Sequence, residues 1–240
     1  MNQCLNGRVK HVVKLLGLVL CPVLGVGFLL VLLDYGRKEL LDDLRPMAPF
    51  AVGMGLWFWV YWVYFRGRGL GLWDTWEHEL THALFCIITF TKVKGFRAET
   101  ETIDRPGSVG AAGYVKHEHA STIRSVLIVL SPYFFPTFTM LLLPLRFALV
   151  KSMVPWFDLL LGVTFGFYVI NRYAEIGLAI RTARTKGAEG HDFQVFGIAF
   201  SLLFTLFCHV LIVGFLITLL HGGWSAAWEF LKAGAVYWVT

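Results

Sequence analysis

Long apolar runs, separated by short polar stretches, dominate this chain and limit it to a membrane-embedded fold. A helix needs about 20 apolar residues to cross the hydrocarbon core of a bilayer. About six runs of this size are predicted as membrane helices. They lie at about 11–33, 49–65, 70–91, 123–145, 155–178 and 192–220. Because lipid leaves backbone polar groups unsatisfied outside a helix or closed barrel, we expect an all-α polytopic membrane protein.

The composition agrees with this class. Only 15% of the 240 residues are charged and 57% are hydrophobic, whereas a soluble domain has roughly 25% charged residues. The net charge of +5 is interpreted as loop charge flanking the membrane helices. The sequence has no run of basic residues interleaved with aromatics, so we expect no nucleic acid as a partner. Because the apolar runs are predicted to lie in a membrane, we expect the lipid bilayer as a partner.

A single membrane domain, 1–240, is expected because no segment is long enough for a large soluble domain. Residues 1–69 are predicted to form two N-terminal accessory helices, followed by a core at 70–220. The last stretch, 221–240, is short and contains Glu229 and Lys232. It is therefore predicted as an interfacial tail or a segment packed on the bundle.

A His-Glu-x-x-His pattern, His78 to His82, lies inside the third apolar run. Residues four apart share one face of a helix, so both imidazoles can bind one metal ion. Zinc suits two imidazoles, one carboxylate and an open position for water. Glu79 lies beside that face and is predicted to act as a general base. Ionisable residues in such an apolar setting are usually functional.

A polar stretch at 92–122 follows this helix. Pro106-Gly107 and the glycines at 107–113 indicate turns, and neighbouring Val and Tyr residues favour short strands. We predict a small β-hairpin, with an ordinary connecting loop as the alternative. The edge of a hairpin can hold a peptide as an added strand. The residues predicted to bind substrate in this way are Gly113, Tyr114 and Val115.

The fourth run contains the sequence Ser-Pro-Tyr-Phe-Phe-Pro at 131–136. Proline lacks a backbone N–H and leaves a helix carbonyl without its usual donor. Such carbonyls need other partners or a water-filled cavity inside the membrane. The pattern predicts a break beside a cavity that admits water, or a simple kink.

The third metal ligand is not decided by the sequence pattern. Asp192 opens the sixth run and Asp158 lies near the start of the fifth, and helix geometry favours neither. Glu175 and His191 are further candidates.

Three other polar residues have two interpretations each. His117 and His119 could form a second metal site, although two histidines in a polar loop are usually solvated. Asn171 could hydrogen-bond an oxyanion or a substrate backbone, or another helix.

The chain resembles the site-2 proteases, a family of intramembrane zinc metalloproteases. The resemblance rests on His78-Glu79-Leu80-Thr81-His82-Ala83, the glycine-rich 107–115 stretch and the Leu-Ser-Pro-Tyr-Phe-Phe-Pro run at 130–136. It covers about residues 70–215 and departs from the family at Thr81, where Gly is common. It implies that His78 and His82 bind Zn²⁺ and that Glu79 is the general base. It also implies a membrane-associated hairpin that holds substrate.

The same resemblance bears on the third ligand. The family usually supplies it from an Asp-Gly pair, but Asp158 precedes Leu159 and Asp192 precedes Phe193. Small bacterial members have an acid just before a late helix, which implies Asp192. The expected function is cleavage of a membrane-embedded or membrane-anchored protein, in a bacterial inner (cytoplasmic) membrane. The alternative is a non-proteolytic membrane metal-binding or transport protein. A membrane di-iron oxygenase is disfavoured, because it needs several histidine boxes and the sequence has one, at His78–His82.

Overall fold

The computed structural model describes residues 2–66, 71–102, 109–118, 120–183 and 192–238. Within these ranges the chain is mostly helical and contains one two-stranded antiparallel sheet. The helices are α1 (Asn2–Tyr35), α2 (Ala48–Val60), α3 (Leu72–Ile88), α4 (Thr122–Phe134), α5 (Thr137–Leu142), α6 (Val154–Ala183), α7 (Asp192–Phe196) and α8 (Ile198–Val236). The strands are β1 (Val93–Thr102) and β2 (Val109–His117).

Several helices are long and apolar enough to cross a membrane. Four such spans occur in the described residues: Val9–Leu40, Arg45–Phe65, Val154–Gly177 and Ile198–Val236. Counting α4 and the segment Thr137–Ala148 as one bent span gives up to five. The multi-span helical class is therefore confirmed, while the predicted third span forms a helix of 17 residues, α3.

Helices α1 and α8 pack side by side, and α8 then folds back on itself. Gly17 of α1 faces Phe200 of α8, and Tyr35 at the end of α1 hydrogen-bonds His221. Helix α8 is kinked at Gly223, whose φ is 73°. Beyond the kink Phe230 packs on Gly214, which a straight helix would place about 24 Å away. The described part of the predicted C-terminal tail thus folds back onto the bundle.

Helices α2 and α6 approach closely at glycines. A Cβ atom on Gly162 would lie 2.0 Å from the carbonyl oxygen of Phe50, and one on Gly53 would lie equally close to Leu159 O. Small residues let helix backbones touch, which is a main source of packing energy in a membrane. This contact supports α6, the helix that carries Arg172 and Glu175 to the candidate site.

The predicted break in the fourth apolar run is present. Helix α4 ends at Phe134 and α5 begins at Thr137, with a bend of 94° between them. Pro136 lies in the bend and Pro132 lies inside the last turn of α4. The two prolines therefore redirect the chain beside α3, as their positions predict.

A two-stranded antiparallel sheet follows α3, in the stretch predicted to form a hairpin. Strand β1 pairs with β2 in antiparallel register, with Ala98 opposite Gly113 and Thr102 opposite Val109. Both strands contact α3. The predicted turn at 105–107 lies outside the described residues.

Candidate metal centre

Helix α3 presents His78 and His82 on one face, as their spacing of four requires. Their Nε2 atoms lie 3.1 Å apart and point to the same place. Both side chains are largely buried. Two imidazole nitrogens of largely buried side chains thus converge.

Asp192, the first residue of α7, completes a triangle with these nitrogens. Its Oδ2 lies 3.5 Å from His78 Nε2 and 3.6 Å from His82 Nε2. A carboxylate oxygen beside two imidazole nitrogens is a third donor atom of a kind that zinc binds.

The triangle fits one small tetrahedral ion. Zinc lies 2.0–2.1 Å from nitrogen and about as far from oxygen, so its tetrahedral ligand atoms are about 3.4 Å apart. The three observed separations are 3.1, 3.5 and 3.6 Å. Among the described residues, His78, His82 and Asp192 form the one group with donor atoms close enough to hold a metal.

The other candidates for a third ligand are engaged elsewhere or not described. Asp158 accepts two hydrogen bonds from Arg146, at 2.6 and 3.0 Å, and is buried in that ion pair. Glu175 lies at the back of His78, 3.2 Å from Nδ1. His191 and His119 fall outside the described residues.

His117 and Asn171 are not members of the triangle. The Nδ1 atom of His117 lies 2.7 Å from the backbone oxygen of Glu118. Asn171 is buried in α6, and it is not among the described residues that line the cavity.

The outward-facing nitrogen of each histidine has its own partner. His82 Nδ1 lies 2.7 Å from the carbonyl oxygen of Ile128. That carbonyl lacks its helical donor because the residue four positions later is Pro132. Hydrogen bonds of this kind orient a ligating imidazole and fix which nitrogen carries the proton.

Tyr133 contacts Asp192, the third member of the triangle. Its hydroxyl donates to Asp192 Oδ2 over 3.2 Å. Its ring packs edge-on against His78, with 5.6 Å between ring centroids. Tyr133 therefore contacts two members of the triangle, Asp192 through its hydroxyl and His78 through its ring.

Behind His78 lies a buried charged cluster on α3 and α6. Arg172, with 2% of its side chain exposed, donates to Asp74 over 2.9 Å and to Glu77 over 3.4 Å. It also pairs with Glu175. These contacts tie α6 to the helix that carries both histidines.

A cavity of about 460 Å³ opens onto the triangle. Glu79 lines it and has 7% of its surface exposed. Strand β2 forms one wall, and a Cβ atom on Gly113 would lie 2.7 Å from Glu79 Oε1. The lining residues are His78, Glu79, His82, Gly113, Tyr114, Val115, His117, Ile128, Val129, Tyr133, Glu175 and Asp192.

Thr81 departs from the glycine that the resemblance would lead one to expect. It is fully buried, its hydroxyl donates to Glu77 O over 2.6 Å, and it contacts the hydroxyl of Thr137 at the start of α5. Thr81 therefore joins α3 to the segment that follows the proline break.

Sequence reasoning missed the roles of Arg172 and Tyr133. The role of Arg172 could have been predicted from the sequence. Asp74 and Glu77 precede the histidines in α3, while Arg172 and Glu175 interrupt an apolar helix. Charges in such helices usually pair with one another. A single tyrosine among many aromatics carries no comparable signal.

Comparisons with protein-family models, with curated proteins and with solved structures found no match.

Proposed function

We propose that this chain is an intramembrane zinc metalloprotease of the site-2 protease type. The observation that carries the proposal is the triangle of His78, His82 and Asp192 beside Glu79 in a cavity. Two nitrogens, one carboxylate oxygen and an open side match the donor set of hydrolytic zinc sites.

His78, His82 and Asp192 would hold the zinc ion. When bound at such a site, zinc lowers the pKa of water and polarises a carbonyl oxygen. Softer ions are disfavoured because the described part of the site offers no thiolate.

Glu79 would handle the proton. It adjoins His78 in sequence and lines the same cavity, without belonging to the ligand triangle. Its carboxylate can accept a proton from the attacking water and pass it to the leaving amine nitrogen. Burial of Glu79 limits competing contacts with solvent.

The substrate would lie as a strand along β2. Pairing with β1 uses one edge of β2, and Gly113, Tyr114 and Val115 line the cavity on α3's side. An added strand gains backbone hydrogen bonds with little dependence on side chains. A transmembrane substrate would have to unwind locally to adopt this form. A membrane-embedded or membrane-anchored protein is therefore the proposed substrate class.

We also propose that the site lies within the bilayer. Helix α3 has 17 residues and is about 26 Å long, close to the roughly 30 Å hydrocarbon core. Together with the bent α4–α5 pair it would bring the embedded segments to six. A bacterial inner membrane is the proposed location.

The first test is the zinc-to-protein ratio of detergent-purified protein made without chelator. We expect about one zinc per chain in the wild type, with loss in His82→Ala and Asp192→Ala. Asp158→Ala is the matched control, because Asp158 is a buried aspartate paired with Arg146. Absence of zinc from the wild type would contradict the proposal.

The second test is cleavage of labelled single-span membrane proteins in liposomes by wild type and Glu79→Gln. We expect cleavage by the wild type alone, although both retain zinc. Cleavage by Glu79→Gln would overturn the assigned base. Zinc binding without cleavage by the wild type would favour the alternative, a non-proteolytic metal-binding or transport protein.

A further inference from the structure

The third corner of the triangle, Asp192, lies on a short helix that meets α8 at a sharp turn. Helix α7 spans Asp192–Phe196, and Gly197 follows it with φ of 89° and ψ of 143°. Isolated helices shorter than about 12 residues are marginal, so a helix of this length takes its orientation from its contacts. The direction of the Asp192 carboxylate therefore depends on what holds α7.

Ser201, in the first turn of α8, spans the joint at Gly197 with two hydrogen bonds. Its N–H donates to Gly197 O over 3.0 Å, and its hydroxyl donates to Phe193 O over 3.2 Å. In a straight helix, residues eight apart would be about 12 Å from each other along the axis. The second bond exists because the chain turns at Gly197. Ser201 thus ties α8 to the residue that follows Asp192.

Another buried hydroxyl of α8 makes a different bond. Thr218 donates to Gly214 O, four residues earlier, over 2.8 Å. Hydroxyls inside helices commonly bond the carbonyl of the preceding turn in this way. Ser201 and Thr218 are equally buried, so burial alone does not explain the difference. The Ser201 hydroxyl joins two helices, whereas the Thr218 hydroxyl stays within one.

Apolar packing seats α7 but does not by itself fix its rotation. Phe193 is fully buried, and its ring meets the ring of Tyr133 edge-on, with 4.6 Å between centroids. Phe196 is also buried and packs against Phe200. The hydrophobic effect is non-directional, whereas a hydrogen bond weakens steeply when its angle changes. The bond across the joint therefore supplies a directional restraint on the α8 side of α7.

We propose that Ser201 is a positioning residue for the metal centre. It fixes the joint between α7 and α8 and so holds Asp192 Oδ2 at 3.5 and 3.6 Å from the two histidine nitrogens. Ser201 is not among the described residues that line the cavity, so it acts through Asp192. This inference deepens the proposed function and rests on it for the identity of the ion.

Removal of the hydroxyl should reach the metal centre through α7. In Ser201→Ala, Phe193 O loses this donor and α7 is freer to rotate about Gly197. Metal ligands have to be held within about 0.5 Å of the productive geometry. The loss of one net hydrogen bond corresponds to zinc binding about threefold to tenfold weaker.

Zinc affinity of detergent-purified protein, measured by competition with a chromophoric chelator, is the first readout. We expect the loss in Ser201→Ala and wild-type affinity in Thr218→Val, which removes an equally buried hydroxyl 17 residues later in α8. Melting temperatures are measured beside the affinities, because a purely structural role would lower thermal stability without changing affinity. Wild-type affinity in folded Ser201→Ala would overturn the inference.

The joint can also be disturbed with the hydroxyl left in place. Gly197→Ala puts a side chain at a φ that L residues rarely adopt, so the turn has to relax. We expect weaker zinc binding in this variant as well. Gly223→Ala is the matched control, since Gly223 has φ of 73° and lies at the far kink of α8. Equal affinities in the two glycine variants would contradict positioning through the joint.

Co²⁺ bound in place of zinc reports its ligands through visible absorption. We expect the Ser201→Ala spectrum to move from that of the wild type toward that of Asp192→Ala, and Thr218→Val to match the wild type. A wild-type spectrum in Ser201→Ala would refute the role of Ser201 while leaving the proposed protease standing.

Deuterium exchange of the amides at 193–201 tests the joint in metal-free protein. We expect faster exchange in Ser201→Ala than in the wild type, and no change there in Thr218→Val. A wild type that binds neither zinc nor Co²⁺ would contradict the proposed function. Exchange in Ser201→Ala as slow as in the wild type would overturn the inference about Ser201, whether or not the protein binds metal.

Discussion

The imidazole of His82 is held by a carbonyl that a proline has set free. His82 Nδ1 lies 2.7 Å from Ile128 O, and Pro132, four residues later, has no N–H to offer that oxygen. The Ser131 hydroxyl donates to the same oxygen over 2.9 Å. Both lone pairs of the carbonyl are therefore in use.

Pro132→Ala should weaken zinc binding by about tenfold. The new N–H at position 132 would seek Ile128 O as its helical acceptor and compete with His82. Zinc affinity measured by chelator competition tests this. Pro22→Ala is the control, since Pro22 also lies inside a helix, α1, which contributes none of the described cavity lining. Equal affinities in both variants would show that the freed carbonyl does not matter.

Tyr133→Phe should reduce zinc affinity by about threefold to tenfold, the worth of one net hydrogen bond. The hydroxyl donates to Asp192 Oδ2 over 3.2 Å, and its removal frees that carboxylate to rotate. Zinc titration of the purified variant measures the change. Tyr35→Phe removes a hydroxyl bonded to His221 instead, and should leave the affinity as in the wild type. A Tyr133→Phe protein with wild-type affinity would contradict this role.

Gly113→Ala should abolish or strongly reduce proteolysis while zinc stays bound. Its Cβ would lie 2.5 Å from Glu79 Cγ and 2.7 Å from Glu79 Oε1, so the carboxylate must move. Gly95→Ala in the paired strand is the control, because its Cβ would meet nothing described closer than 3.9 Å. Cleavage of the liposome substrates and zinc content, measured together, test the effect. Full activity in Gly113→Ala would show that Glu79 does not need this space.

Gly53→Ala should destabilise the bundle by ~1–3 kcal/mol, as overpacking does. The added Cβ would lie 2.0 Å from Leu159 O, where the backbones of α2 and α6 touch. Gly55, two residues later, has no described atom within 4 Å of its Cβ position, so Gly55→Ala should be neutral or slightly stabilising. Unfolding in mixed detergent measures both. Similar stability of the two variants would argue against close helix contact at Gly53.

Part of the fold and of the candidate site could be predicted from local patterns in the sequence. Apolar run length predicts helices in a bilayer because no other open structure satisfies the backbone there. The spacing of His78 and His82 places both on one face because a helix repeats every 3.6 residues. Strands flanking 105–107 and a break between α4 and α5 follow from turn residues and from prolines in the same way. These features depend on near neighbours, so the sequence is sufficient for them.

The third corner of the triangle depended on tertiary structure. Helix geometry does not separate Asp158 from Asp192 as sequence candidates, and the resemblance only implied Asp192. Packing brings Asp192 to the histidines and pairs Asp158 with Arg146. The pairing of α3 with Arg172 and Glu175 is of the same kind, since these residues are almost a hundred positions apart. Such contacts are set by how whole helices pack, through close approaches such as Gly53 on Leu159. Periodicity specifies which face a residue occupies, whereas the packing of distant helices specifies what that face meets.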